Sequence, residues 1–328
     1  MQVVTRKKFH IFSGRTNEPL AREIALTLDE TLGEANLIEF AAGEIRCRFG
    51  HSVRGGDVFV LQTHAESEVG SVNDSIMEHL IMIDAAKRAS AKRITAVMPF
   101  YGYARQDRKS AGREPITAKL LANMFKVAGA DRLLSVDLHS GQIQGFFDGP
   151  VDHLTSMPVL IDYIERNRPS QELVVVSPDT GRVKVAERYA KHLGADVAAV
   201  YKKRSHDVAN EVVALGVMGD VKDKTAILMD DMIDTAGTVC SAAEVLRANG
   251  ASDVWAMATH GLFSGPAVDR LKNSVISRVA VTNTLPFPSE KQFDSLEILS
   301  CAGVIARAMK AIFEDSSVSE IFGGENFS

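Results

Sequence analysis

Nine residues, Asp230-Asp-Met-Ile-Asp-Thr-Ala-Gly-Thr238, concentrate three carboxylates, two hydroxyls and one glycine. They follow the apolar run 226–229 and precede a helical pattern over 239–249 that Gly250 stops. This predicts a buried strand, a loop at its carboxyl end and a helix, the place where open α/β sheets bind ligands. Small residues let backbone N–H groups approach a phosphate, and the helix N-terminus adds its positive dipole end. Carboxylates cannot hold phosphate, but they suit sugar hydroxyls, a metal or both. One loop therefore offers both halves of a sugar-phosphate site. The plainer alternative is a strand-to-helix turn with capping Asp and Thr, which explains one Asp more readily than three.

Other candidates lie where strands should end. His139 closes Asp137-Leu-His139, and Asp179 sits in Ser177-Pro-Asp-Thr-Gly181. Either could be structural: a lone histidine usually is, and Pro178 with Gly181 already implies a tight turn. Around a nucleotide they would suit Mg²⁺, which keeps few protein ligands and uses substrate phosphates. Arg105-Gln-Asp-Arg-Lys109 follows Pro99-Phe-Tyr-Gly-Tyr103. A basic cluster is ordinarily a solvated loop, but aromatics and Gln beside cations also suit nucleotide contact. Lys202-Lys-Arg204 opens a polar stretch reaching Asn210, either a solvated face or a cationic loop that closes over phosphoryl transfer. No Gly-Lys dipeptide occurs, which excludes a Walker A loop, and the protein-kinase signatures, Gly-x-Ser-x-Gly and Cys-x-x-Cys are absent.

The elements that must position these residues alternate. Strand-like runs cover 9–12, 37–40, 45–49, 58–62, 94–98 and 133–136, then 173–176, 197–201, 226–229, 254–258 and 279–282. Helical patterns cover 20–32, 76–89, 115–128, 157–166, 185–193, 239–249 and 298–313. Turns are expected at 259–261 and across the polar stretch 99–114. Alternation of this kind implies largely parallel sheets flanked by helices. Residues 58–64 and 254–260 look alike, a hint of two similar domains, with the boundary expected at 152/153. A chain of 328 residues with net charge -5 and 45% hydrophobic residues is an ordinary globular protein with no electrostatic reason to seek nucleic acid or an anionic membrane. No run reaches transmembrane length and no apolar signal core opens the chain, so a cytoplasmic location is expected. The three scattered cysteines fit reduced thiols and show no metal-ligand spacing.

The acidic loop resembles the 5-phosphoribosyl-diphosphate loop of phosphoribosyltransferases and ribose-phosphate pyrophosphokinases. The wider set resembles the pyrophosphokinases: Tyr103-Ala-Arg-Gln-Asp-Arg-Lys109, Arg113-Glu-Pro-Ile116, Asp137-Leu-His139, Gln142-Ile-Gln-Gly-Phe-Phe-Asp148, the acidic loop and Thr282-Asn-Thr284. The resemblance implies two similar phosphoribosyltransferase-like domains, 1–152 and 153–328, with the terminal helix packing back on the first. It implies transfer of a diphosphoryl group from ATP to ribose 5-phosphate, giving AMP and 5-phosphoribosyl diphosphate. Asp230, Asp231, Asp234, Thr235, Ala236, Gly237 and Thr238 would then hold ribose 5-phosphate, with Arg204. Phe40, Ala42, Gly43, Glu44, Arg105 and Gln106 would contact ATP. His139 and Asp179 would place Mg²⁺, and Lys202 and Arg204 would be catalytic. A homohexamer is the implied assembly. Two positions depart from the family pattern, as does Ser110-Ala-Gly112, which is less polar than the family's usual sequence. Ala42 replaces a side chain able to hydrogen-bond the base, and Arg182 makes the Pro178-Asp-Thr-Gly-Arg182 turn more cationic, suited to phosphate. The alternatives are a non-catalytic regulatory homologue, or a phosphoribosyltransferase, which would explain only the acidic loop and one domain.

Overall fold

The computed structural model describes residues 7–203 and 214–322; Arg204 lies outside them. The chain forms two compact units. One comprises residues up to Thr155 together with Thr284–Pro286 and the segment from Ser300 onward; the other comprises Ser156–Asn283 and Phe287–Leu299.

In the first unit, β1 (Phe9–Ser13), α1 (Glu18–Thr27), β2 (Leu32–Gly33), β3 (Ala35–Glu39), β4 (Ile45–Phe49) and β5 (Asp57–Leu61) come first. Then follow α2 (Val72–Arg88), β6 (Arg93–Met98), α3 (Thr117–Ala128), β7 (Arg132–Val136) and β8 (Val151–Leu154). Six strands form a parallel sheet in the order β2-β1-β5-β6-β7-β8, while β3 and β4 pair apart as an antiparallel hairpin. Every residue of β5 is buried, and its apolar run 58–61 is what a parallel strand covered on both faces should carry. The hairpin alternates, with Leu37, Cys47 and Phe49 packed on the core of Phe12, Ile83 and Phe125.

The second unit contains α4 (Met157–Arg166), β9 (Leu173–Ser177), α5 (Val183–Leu193), β10 (Asp196–Lys203), β11 (Ala214–Met218) and β12 (Thr225–Ile233). It continues with α6 (Gly237–Ala248), β13 (Asp253–Gly261), α7 (Ala267–Lys272), β14 (Arg278–Thr282) and β15 (Leu296–Leu299). Its seven strands run β11-β10-β9-β12-β13-β14-β15, parallel except for the β10–β11 pair. The last helix, α8 (Ala302–Phe313), belongs to the first unit. Arg93 ties its end there, bonding Asp57 and reaching Asp315 at 2.6 Å, and Lys7 pairs with the same Asp315.

Several elements differ from their sequence patterns. The first helix stops at Thr27, because Leu32 and Gly33 pair with Ile11 and Phe12 instead. A side chain at Gly33 would lie 2.4 Å from the Phe12 ring, so the β-contact excludes anything larger. Pro115 lies outside α3, which begins at Thr117. Residues 296–299 form a strand on β14, so the terminal helix starts at Ala302 rather than 298. Lys202 and Lys203 end β10, paired with Leu215 and Ala214, rather than opening a loop. The acidic pair lies inside β12, and 259–261 lie inside β13, because these strands go on pairing: Asp230 with Ala258, Met232 with His260, Ile233 with Gly261. Strands β8, β11 and β15 and helix α7 had no clear signature in the sequence.

Candidate functional site

In the second unit, β10 lies on one side of β9 and β12 on the other, so strand order reverses between β9 and β12. Such a switch point opens a crevice at the carboxyl ends of the two strands. The pairing of β12 with β9 ends at Leu228, and the next residues, through Ile233, pair with β13. The Asp179 turn leaves β9 here, and Asp230 and Asp231 lie on β12 just beyond that last pairing.

Asp179 is exposed, and its Oδ1 accepts from the Gly181 N–H at 2.7 Å, which fixes the carboxylate's rotation. Asp231 is buried; Asp230 is half-buried, and its Oδ1 accepts from the Asp231 N–H at 2.8 Å. Arg182 spans the pair: Nη2 lies 2.8 Å from Asp231 Oδ1, and Nε lies 3.8 Å from Asp230 Oδ1. Burial raises the Asp230 pKa far above the carboxylate range; neighbouring Asp231 adds to this, and Arg182 opposes it. The cation suited by its residue type to phosphate is therefore paired with the acidic residues. Lone sequence position did not reveal that partnership.

After β12, the chain turns through Asp234, Thr235 and Ala236. Ala236 takes φ 59°, left-handed, and α6 begins at Gly237 with no side chain capping its N-terminus. Arg270 of α7 donates from Nη1 to the Thr235 carbonyl at 2.9 Å, holding the loop in place. The uncapped amides of a twelve-residue helix and the loop hydroxyls together make an anion cradle. Lys202 ends β10 on the same carboxyl edge of the sheet.

In the first unit, the stretch after β6 divides by chemistry. Phe100, Tyr101, Gly102 and Ala104 are buried, whereas Arg105 and Gln106 are exposed. Tyr101 Oη donates to Ala118 O at 2.8 Å, Tyr103 Oη to Asn73 Oδ1 at 2.5 Å, and Thr117 Oγ1 to Gln106 Oε1 at 2.5 Å. An aromatic foundation thus presents the cationic segment. Beneath it runs a histidine relay that sequence reasoning missed. The Gly102 N–H donates to His64 Nδ1 at 3.1 Å, which leaves the His64 proton on Nε2. That nitrogen lies 3.1 Å from His79 Nδ1, and His79 Nε2 lies 3.0 Å from Val60 O. Burial lowers both pKa values, that of His79 to about 3. Both rings are neutral, and each tautomer is set by its neighbour.

His139 follows β7 and is half-buried; Asp137 before it takes φ 37°, and Leu138 N–H donates to buried His153 Nε2 at 2.9 Å. Phe40, Ala42, Gly43 and Glu44 form the exposed tip of the β3–β4 hairpin, where Phe40 N–H donates to Glu44 O at 2.9 Å and Gly43 takes φ 85°. Asp179, Asp230, Asp231 and the 234–238 loop thus belong to the second unit, and the hairpin tip, Arg105, Gln106 and His139 to the first. Among the described residues, no three His, Cys, Asp or Glu side chains cluster as a metal cage.

This topology, with an acidic strand end beside an uncapped helix, defines an α/β protein of the phosphoribosyltransferase-like type. A family model described as the N-terminal domain of ribose phosphate pyrophosphokinase matches residues 9–129, and one described as phosphoribosyl synthetase-associated domain matches 205–323. A ribose-phosphate pyrophosphokinase of Streptomyces coelicolor is 54% identical over 316 residues, covering 96% of each chain. One from Mycobacterium leprae is 52% identical, over 98% of this chain and 97% of its own. The crystal structure of phosphoribosylpyrophosphate synthetase from Mycobacterium smegmatis superimposes with TM-score 0.88 at 50% identity, covering 94% of this chain and all of that one. The chain belongs to the ribose-phosphate pyrophosphokinase family, as its motifs implied.

Proposed function

We propose that this enzyme transfers the β,γ-diphosphoryl group of ATP to the C1 hydroxyl of ribose 5-phosphate. The sugar oxygen attacks the β-phosphorus, the bond from that phosphorus to the α-phosphate oxygen breaks, and AMP leaves. The observation that carries this reading is the crevice between β9 and β12, with carboxylates at one strand end and an uncapped helix N-terminus after it. The amides and hydroxyls of 234–238 take the 5-phosphate, and Asp230 and Asp231 take the ribose hydroxyls. Arg105 and Gln106 contact ATP, as do Phe40, Ala42, Gly43 and Glu44 at the hairpin tip. With Ala42 there, Glu44 and the backbone read the base.

His139, of the first unit, and Asp179, of the second, are each side chains that a divalent cation accepts as ligands. Asp179 is an exposed carboxylate oriented by the Gly181 N–H, and the ion proposed is Mg²⁺, which draws most of its ligands from water and substrate phosphate. When bound, the ion neutralises polyphosphate charge. Lys202 and Arg204 stabilise charge developing on the transferred group. On this reading the domains are 1–152 and 153–328, with the terminal helix returning to the first, and the assembly is a cytoplasmic homohexamer. No helix among the described residues is long and apolar enough to cross a membrane.

Phosphorus NMR of ATP, ribose 5-phosphate and Mg²⁺ tests this directly. AMP and 5-phosphoribosyl diphosphate are expected only with all three present. No AMP, together with association with an active relative, identifies a regulatory subunit. Diphosphate released from 5-phosphoribosyl diphosphate only when a base is added identifies a transferase.

A further inference from the structure

Two adjacent carboxylates at the end of a central strand are an unusual choice for holding a neutral diol. Two such groups left alone present four oxygen acceptors and two negative charges, which is what a hard divalent cation seeks. Here a third charge is built in. Arg182 comes from the turn after β9 and reaches across the switch point to Oδ1 of both residues, at 2.8 Å from Asp231 and 3.8 Å from Asp230. Its side chain is 16% exposed and that of Asp231 is 5% exposed, so the contact is largely withdrawn from water and is screened little. A guanidinium is always charged, and its planar fork can engage two acceptors at once. The guanidinium offsets one negative charge of the pair, and one oxygen of each carboxyl group is already occupied.

We propose that Arg182 is the resident counter-cation of the acidic pair: it positions Asp230 and Asp231 for sugar hydroxyls and keeps divalent metal off them. It is a positioning and specificity-determining residue rather than a catalytic one. The inference rests on the pair being the ribose-diol site, but the metal exclusion it describes is a property of the protein without substrates.

The test is titration of the full-length, substrate-free protein with Mn²⁺, read by electron paramagnetic resonance, for wild type, Arg182→Gln and Arg182→Lys. Arg182→Gln is expected to gain one Mn²⁺ per chain, bound at least about tenfold tighter than anything wild type shows, because a unit charge a few ångströms away has been removed. Arg182→Lys restores the wild-type count. In the same variants KM for ribose 5-phosphate rises about tenfold for Gln with a smaller change in kcat, and Lys recovers part of it. An Arg182→Gln protein with the wild-type Mn²⁺ count would overturn the proposal, as would unchanged KM. Should Arg182→Gln fail to fold, the double variant Arg182→Gln/Asp231→Asn removes both partners of the buried pair. It is expected to fold and to bind no extra Mn²⁺; a double variant as unfolded as the single one refutes charge compensation. Loss of AMP formation in wild type would sink the enzymatic reading alone and leave the Mn²⁺ result standing.

Discussion

The histidine relay beneath the Arg105 loop allows a sharp perturbation. His79→Leu keeps the side chain's bulk but deletes both ring nitrogens. Val60 O loses the partner at 3.0 Å, and the His64 Nε2 proton loses its acceptor at 3.1 Å, both with no exposure to water. His64 cannot escape by moving its proton to Nδ1, because that atom accepts from the Gly102 N–H. Either tautomer strands one buried group. One such group costs about 1–3 kcal/mol and the lost bond to Val60 about 1, so the expected loss is about 2–4 kcal/mol. A chain of two compact units need not unfold in one step, so a global denaturation curve is a poor readout. Hydrogen exchange at the Gly102 amide reports locally, and its protection should fall roughly 30- to 1,000-fold. His79→Gln supplies an amide oxygen for His64 and an amide N–H for Val60, and should keep protection within about tenfold of wild type. If His79→Leu protects Gly102 as well as wild type does, or if Gln is as harmful as Leu, the relay does not hold the loop.

The same pair sets a pH dependence. Both folded pKa values lie below 6.5, so the stabilisation is complete above that pH and is lost as pH falls toward 3. One unit below 6.5 each ring costs about 1.4 kcal/mol; exchange measured at pH 5.5 and 7.5 should therefore show a wild-type loss that His79→Gln reduces by one proton. Gly237→Ala tests the cradle: its methyl would lie 3.4 Å from Arg270 Nη1, ordinary contact. The variant should match wild-type stability within about 1 kcal/mol while its KM for ribose 5-phosphate rises about tenfold or more; an unchanged KM would remove the loop amides from phosphate binding. Lys202→Ala should lower kcat by about 10² to 10³ and leave the affinity for ribose 5-phosphate nearly intact. Equal losses in steady-state kcat and in equilibrium binding would reduce the cationic segment to a substrate contact.

Much of the framework was legible because burial imposes a simple pattern. Leu173–Ser177 is built on the β-branched run Val174–Val176, and the helix 157–166 matches its apolar spacing with Pro158 in its first turn. Short strands were illegible for the converse reason. β8 reads Val-Asp-His-Leu and β15 reads Leu-Glu-Ile-Leu, and such four-residue edge segments carry too little alternation to stand out. The acidic loop announced sugar chemistry, yet its pattern placed the carboxylates after the strand. The partner strand β13 and the guanidinium of Arg182 help make an acidic pair tolerable inside β12, and neither is local in sequence. The relay was invisible likewise, since two single histidines on different elements acquire meaning only when fifteen residues of separation close to 3.1 Å.

Topology by itself does not make a sugar-phosphate site, because each unit of this chain reverses its strand order once. In the first unit, β2 lies on one side of β1 and β5 on the other, which opens an equivalent crevice. There the side chains close on one another. Gln62 Nε2 donates to Glu78 at 2.8 Å, the Gln62 amide oxygen accepts from the Thr16 N–H at 3.3 Å, and Glu78 also accepts from the Arg15 N–H at 2.7 Å and from Arg15 Nε at 2.5 Å. A Cβ on Gly14 would lie 2.4 Å from Gln62, so the turn after β1 can carry only glycine against that packed amide. Hydrogen-bond capacity that would face a ligand is consumed in joining β1, β5 and α2. The second unit puts an exposed carboxylate, an acidic pair with one half-buried and one buried member, and an uncapped helix at the same topological position. A shared switch-point topology thus carries a closed hydrogen-bonded cluster in one half and an open candidate site in the other, and the difference lies in which side chains the strand ends carry.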